Sequence, residues 1–426
     1  MERKNNSCLK LEIGTNQKVF EILNQSVPVL MGIFIFFNPF PHTTAIKEIC
    51  FYLAVLIVLV LIAFRRSSFV FKTPLTFPLG FFLLWAFLSI FWSLNVENSI
   101  HDVRAHLLKQ IALYFLLINF FNSRKRLASL AWIVVSSAAI FSVVGMCYYY
   151  VIMDNSIKAT RFGHLLAGSS INVSTELPVN FVGTITVFAV IICLHYFFQE
   201  LHLSIRAAII ACLIPLFTAT VLTQSKGTCT ALVLAITIQL LLKKKKIVPF
   251  FLLAVVGIVV MTPLKGYINF SSLKERLKID YFTYEVIKDY PITGIGFGMQ
   301  TFIHNIDKAS YLNRIPEKNR PANVQTPHNL LFDIAVRLGL IGLILFLFII
   351  FVFGKMCWVT IRQASDDGIR DWGYCTVIAF VAYGTIGIVE PVFLFQASAI
   401  VFYIILAMIT ILWRLNQGKT GALPVC

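Results

Sequence analysis

Charge is scarce in this sequence. Of its 426 residues only 13% are Asp, Glu, Lys or Arg, while 58% are hydrophobic. A soluble domain carries about 25% charged residues. The shortage excludes an ordinary water-soluble fold, because no aqueous core of this size hides so much apolar surface, and lipid is the expected solvent. Mean hydropathy of +0.81 agrees. Paired cysteines are also missing. The nine cysteines, at 8, 50, 147, 193, 212, 229, 357, 375 and 426, stand singly. With no Cys-x-x-Cys and no Cys/His cluster, neither a disulfide framework nor a zinc motif is expected. His-Glu-x-x-His and Gly-x-Ser-x-Gly are absent, which removes two common hydrolase signatures. No small-residue cleavage site follows the first apolar run, so the first helix reads as an uncleaved signal-anchor.

What the chain does have is a series of apolar runs. They lie at about 28–42, 46–64, 76–93, 108–122, 129–151, 177–198, 206–223, 228–242, 247–262, 329–354, 372–389 and 396–413. The pattern predicts an all-α, polytopic integral membrane protein with about 12 transmembrane helices. Only Gln224, Ser225, Lys226 and Gly227 separate runs 7 and 8, which implies a tight hairpin. Net charge is +16. In a soluble protein that would suggest nucleic acid; here Lys and Arg collect in alternate loops, so no nucleic-acid partner is expected and the bilayer takes that role. Placing the cation-rich loops inside puts residues 1–27 in the cytoplasm as an N-terminal segment. Helices 1–9 then occupy 28–262, a long outer loop 263–328, helices 10–12 329–413, and a cytoplasmic tail 414–426.

The outer loop between helices 9 and 10 is the one long polar segment. Leu277, Ile279, Tyr281, Phe282, Tyr284, Val286 and Ile287 alternate with Lys278, Asp280, Glu285, Lys288 and Asp289. This predicts an amphipathic helix at the membrane interface, stopped by Pro291. The run Gly294-Ile295-Gly296-Phe297-Gly298 has no βαβ context and no Walker lysine, so it reads as a flexible turn rather than a phosphate loop. Asp366-Asp367 reads as a solvated inner loop.

Four basic groups fall on the outer side near helix ends: Arg161, Lys226, Arg276 and His328. Lys226, at the hairpin tip, is either an interface marker or an anion contact. Arg276 is either a solvated face residue or a functional cation. His328, in Thr326-Pro327-His328-Asn329, either starts helix 10 structurally or serves as a base, since imidazole accepts a proton near neutral pH. Glu390, at the outer end of helix 11, is an interface carboxylate or a second acid/base group.

Three segments resemble the O-antigen ligase and polymerase superfamily of bacterial inner-membrane glycosyltransferases, and ligases most of all. The first is Leu222-Thr223-Gln224-Ser225-Lys226-Gly227, like the family's Thr/Ser-x-Ser-Arg-Gly run with Lys in place of Arg. In the second, Arg276-Leu277-Lys278-Ile279-Asp280 precedes Asp289-Tyr290-Pro291-Ile292-Thr293-Gly294-Ile295-Gly296-Phe297-Gly298, with Asp280 where Trp is common. The third is Pro327-His328-Asn329 followed by Arg337-Leu338-Gly339-Leu340-Ile341-Gly342. Arg161-Phe162-Gly163 aligns loosely with an Arg-x-Gly stretch.

The resemblance implies a donor glycan on undecaprenyl pyrophosphate, a lipid A–core acceptor, and an active site facing the periplasm. It implies His328 as base and Arg276, Lys226 and Arg161 as pyrophosphate-binding cations, with no metal and no cofactor. A polymerase joining lipid-linked repeats is the nearest alternative. A transporter fits less well, because the long loop lies outside rather than between two six-helix halves, and intramembrane carboxylates are few. An oligosaccharyltransferase acting on protein is a third reading.

Overall fold

The computed structural model describes residues 2–66, 69–157, 161–162, 179–199, 202–243, 271–393 and 396–419. Among these residues the secondary structure is helical, with no strands. In chain order the helices are α1 Glu2–Phe37, α2 Thr44–Ala63, α3 Thr76–Leu88, α4 Val96–Asp102, α5 Lys109–Phe120, α6 Arg124–Met146, α7 Val179–Phe197 and α8 Leu203–Leu222. They continue with α9 Lys226–Leu242, α10 Ser271–Asp289, α11 Thr301–His304, α12 Lys308–Arg314, α13 Leu330–Arg362, α14 Asp367–Gly387 and α15 Gln396–Lys419. Each expected apolar run carries a helix except 247–262, which lies outside the described residues, as do 263–270 of the outer loop. Among the described residues, six stretches are long and apolar enough to cross a membrane: Gln17–Phe37, Thr44–Ala63, Arg124–Ile152, Leu203–Leu222, Leu330–Arg362 and Ser398–Gly418. Thr76–Trp92, Phe181–Phe197 and Lys226–Leu242 are shorter apolar helices.

Several helix starts are written into the sequence. Ser123, Ser225, Asn329 and Asp366 cap α6, α9, α13 and α14, each side chain accepting a first-turn N–H. Packing then sorts the helices. Within the most apolar 18 residues of Ser398–Gly418, 83% are buried against neighbours, whereas within those of Leu203–Leu222 only 22% are. The last helix is therefore central, and α8 is left facing outward. α13 packs against α3, α14 and α15, and α14 also packs on α7 and α9.

The helix α10 is amphipathic, as expected, but its apolar residues divide between two faces. Phe282, Val286 and Ile287 are buried in a second core with Ile295, Phe302, Tyr311, Ile315, Ala335 and Val336. Leu277, Tyr281 and Tyr284, spaced like one helical stripe, are exposed. The helix ends at Asp289, before Pro291.

The glycine run after α10 is not a flexible turn. Gly339 breaks α13 with φ 67° and ψ −173°. The break frees backbone groups that a buried site must satisfy. Ile295 N–H donates to Val336 O at 3.0 Å and Gly296 N–H to Arg337 O at 3.0 Å. The Trp85 indole donates to Leu338 O at 2.8 Å, and Leu340 N–H donates to Pro291 O at 2.8 Å. The approach is so close that a Cβ on Gly339 would stand 2.0 Å from Ile292 O, and one on Gly294 2.3 Å from the Arg337 carbonyl. The loop is a docked plug, because backbone-to-backbone bonds tie it to the break in α13. Arg337, itself 2% exposed, reinforces it: Nε donates to Asp333 at 2.8 Å, and Nη1 donates to Gly298 O.

Candidate active site

Arg276 and Asp280 lie one turn apart on α10, so they share a face. His328 lies two residues ahead of α13. The following Asn329 accepts N–H groups of Leu331 and Phe332 through its side-chain oxygen. Its amide donates to Ile388 O at 3.3 Å, so one residue caps α13 and ties it to the end of α14. That tie sets His328 beside Glu390, just beyond α14. Glu390 then joins the two segments: Oε1 accepts from Arg276 Nη2 at 2.7 Å, and Oε2 is 3.5 Å from His328 Nδ1. The side chains of Arg276, Glu390 and His328 are 25%, 11% and 28% exposed. The carboxylate is screened from water while the cation and the imidazole keep an open side.

Asp280 adds a second carboxyl. Burial pushes it up to about 6, against the opposing pull of the charges on His328 and Arg276. Its Oδ1 is buried without a hydrogen-bond partner. At neutral pH the site thus holds a carboxylate in poor surroundings, which raises the demand for nearby positive charge.

Lys226 opens α9 directly after Ser225, the capping residue, and is exposed. The turn before it uses Gln224 in a left-handed conformation, φ 51°. Gly227 abuts Val389, the neighbour of Glu390: a Cβ there would be 2.4 Å from Val389 Cγ2. The start of α9, whose dipole favours anions, is thereby brought to the same end of α14 as Glu390. Arg161 sits behind this hairpin. Its Nε donates to Thr223 O and its Nη2 to Gln224 O, both at 3.2 Å. A cation at the C-terminal end of α8 is favourable in itself.

Arg276 and His328 thus meet on a shared carboxylate, and Lys226 and Arg161 connect to it through the hairpin and Val389. Sequence reasoning weighed Glu390 and left it at the interface. The usable signal was position: a carboxylate at an outer helix end otherwise populated by cations. Asp280 carried a signal too, at i+4 from Arg276.

Residues 210–347 match the family model described as O-Antigen ligase. A Rickettsia felis protein described as a "Putative polysaccharide ligase" is 31% identical over 115 residues, covering 27% of this chain and 27% of that relative. The match therefore spans about a quarter of the relative's length. The matched family region contains Lys226, Arg276, His328 and the broken start of α13; Arg161 and Glu390 lie outside it. Residues 210–347, about a third of the chain, thus carry its likeness to the O-antigen ligase superfamily.

Proposed function

We propose that this protein is an O-antigen ligase: a membrane glycosyltransferase that moves a glycan from undecaprenyl pyrophosphate to a sugar hydroxyl of lipid A–core during lipopolysaccharide assembly. The observation that carries the reading is Glu390 bridging Arg276 and His328, since it puts a candidate base and a candidate anion-binding group on one fixed support. The reading includes about twelve spanning helices in the bacterial inner membrane, with 263–328 in the periplasm. On that side nucleotides are not the energy source, and a pre-activated lipid-linked donor is needed.

In the proposed step His328 takes the proton of the acceptor hydroxyl. With Nδ1 facing Glu390, Nε2 is the nitrogen left for this task. The acceptor oxygen attacks the anomeric carbon, the bond from that carbon to the pyrophosphate oxygen breaks, and the electron pair leaves with undecaprenyl pyrophosphate. One displacement inverts the anomeric configuration. Arg276, with N–H groups beyond the one given to Glu390, Lys226 and Arg161 stabilise the departing charge, so the transfer step is metal-independent and uses no cofactor. Lys at 226 makes its share a point-charge contact rather than a bidentate one. An apolar cavity of about 220 Å³ opens between α13, α14 and α15, lined by Asn329, Phe346, Phe380, Tyr383, Ile388 and Phe402. Its rim residue Asn329 adjoins His328, which suits a donor whose anionic head and hydrocarbon tail must be held together.

The test is a His328→Ala chain expressed in place of the native one. Transfer should fall by at least ~10²-fold with protein level and donor binding near normal; unchanged transfer would sink the base assignment. Deleting the gene separates ligase from polymerase. A ligase leaves intact polymer on the lipid carrier and bare lipid A–core, whereas a polymerase leaves single repeats.

A further inference from the structure

A second polar cluster lies at 93–108, and the transfer step uses none of it. His101, Asp102 and His106 each present one ligand atom, and these atoms all lie within 4.8 Å of one another. The local backbone explains how. Asn95 caps α4, and at Asp102 the helix widens into a π-helical turn, Val103–Leu108, before resuming as α5. Such turns inside helices occur often at functional sites. Here the turn leaves His106 over Asp102, with Nε2 3.4 Å from Oδ1, while His101 Nδ1 lies 2.8 Å from the same oxygen.

The spacing and chemistry suit a shared cation. Donors at ~2.1 Å from a tetrahedral zinc stand ~3.4 Å apart. Two imidazoles and one carboxylate favour zinc or a similar first-row divalent ion over magnesium or calcium. The other oxygen of Asp102 is already held: Asn98 Nδ2 donates to Oδ2 at 3.1 Å and Met299 N–H at 2.6 Å. That arrangement turns Oδ1 toward both histidines, as outer hydrogen bonds orient a ligating carboxylate. Side-chain exposure rises from 4% at Asp102 through 19% at His106 to 58% at His101. The cluster therefore has a buried floor at Asp102 and an open mouth at His101.

We propose that His101, Asp102 and His106 bind one zinc ion, which fastens the 93–108 turn to the loop plugging α13. The bonds that would transmit the effect are all between these two segments. Leu94 N–H donates to Ile295 O, Gly298 N–H to Ser99 Oγ, Gln300 N–H to Asn98 Oδ1, and Met299 N–H to Asp102. The ion braces the plug and takes no part in glycan transfer; it shares no residue with the His328 and Glu390 site.

The experiment uses the full chain, purified without a histidine tag, in nanodiscs. Zinc is titrated after chelation, bound metal is measured by elemental analysis, and thermal midpoint is followed in parallel. One equivalent of zinc should bind and raise the midpoint. His101→Ala, at the exposed mouth, and His106→Gln should lose the binding and the rise, and Asn98→Ala should weaken affinity about 10–100-fold. His328→Ala should bind zinc as the native chain does. No zinc above background in the native chain, or equal zinc in both His101→Ala and His106→Gln, overturns the site.

Discussion

Glu390 lies between two groups with different needs under the proposed reaction: a permanent guanidinium and an imidazole proposed to exchange a proton. Replacing it with Gln keeps the shape but removes the charge that orients and supports His328. Transfer by Glu390→Gln is expected to fall by about 10²-fold, with the acid limb of the pH–rate profile displaced. A native profile would show that Glu390 only holds Arg276. Asp280 makes a stability prediction with a definite sign. Its carboxyl rises to about 6 in the folded chain, from 3.8. Below about pH 4 both folded and unfolded chains hold the proton, and there is no penalty. As pH rises through about 6, the folded chain must ionise a carboxyl it shelters poorly, and stability is lost. Asp280→Asn should therefore stabilise the fold at pH 7.5 by on the order of 1 kcal/mol, after discounting for solvent at a half-buried group, and this is read as a raised thermal midpoint. The gain should fade toward pH 4. An equal gain at both pH values would mean that packing, not ionisation, is responsible.

At the scale of elements, the docked glycine loop and the break in α13 depend on each other. Gly339 has a left-handed backbone and no room for a methyl group, since Ile292 O already occupies that place. Gly339→Ala is expected to destabilise by roughly 3 kcal/mol or more, seen as a lower thermal midpoint and faster proteolysis of 291–300. Gly354→Ala is the control: it lies in the same long helix with nothing within 4 Å of its Cβ position. Its midpoint should be near native. If the two variants behave alike, the docked loop contributes little to stability. The Gly-x-Gly-x-Gly spacing was legible, but its purpose was not. A glycine run next to a helix suggests flexibility; only the facing backbone at 336–340, where α13 breaks, shows that these glycines permit close contact.

For the whole molecule, the proposed orientation places α10 to α12 on the periplasmic side and the α13–α14 connection in the cytoplasm. Single cysteines at Lys318 and at Asp367, in a chain with its native cysteines replaced, test it. A membrane-impermeant maleimide should label the first in intact spheroplasts and the second only after permeabilisation. The reverse pattern would reject the topology and, with it, a donor approached from the periplasm.

Composition alone determined the solvent, because a chain with so few charges cannot fold in water. Hydropathy and local capping chemistry determined where most helices run, since both depend on neighbours within a few residues. His328 and Arg276 stood out for the same reason, each set in a short local motif. Tertiary structure decided what lies across from them. Glu390 is 62 residues beyond His328 and 114 beyond Arg276 in the chain, and no periodicity links such positions. Only the packing of α13 against α14, fixed by the Asn329 cap and its bond to Ile388, brings that carboxylate between the cation and the imidazole.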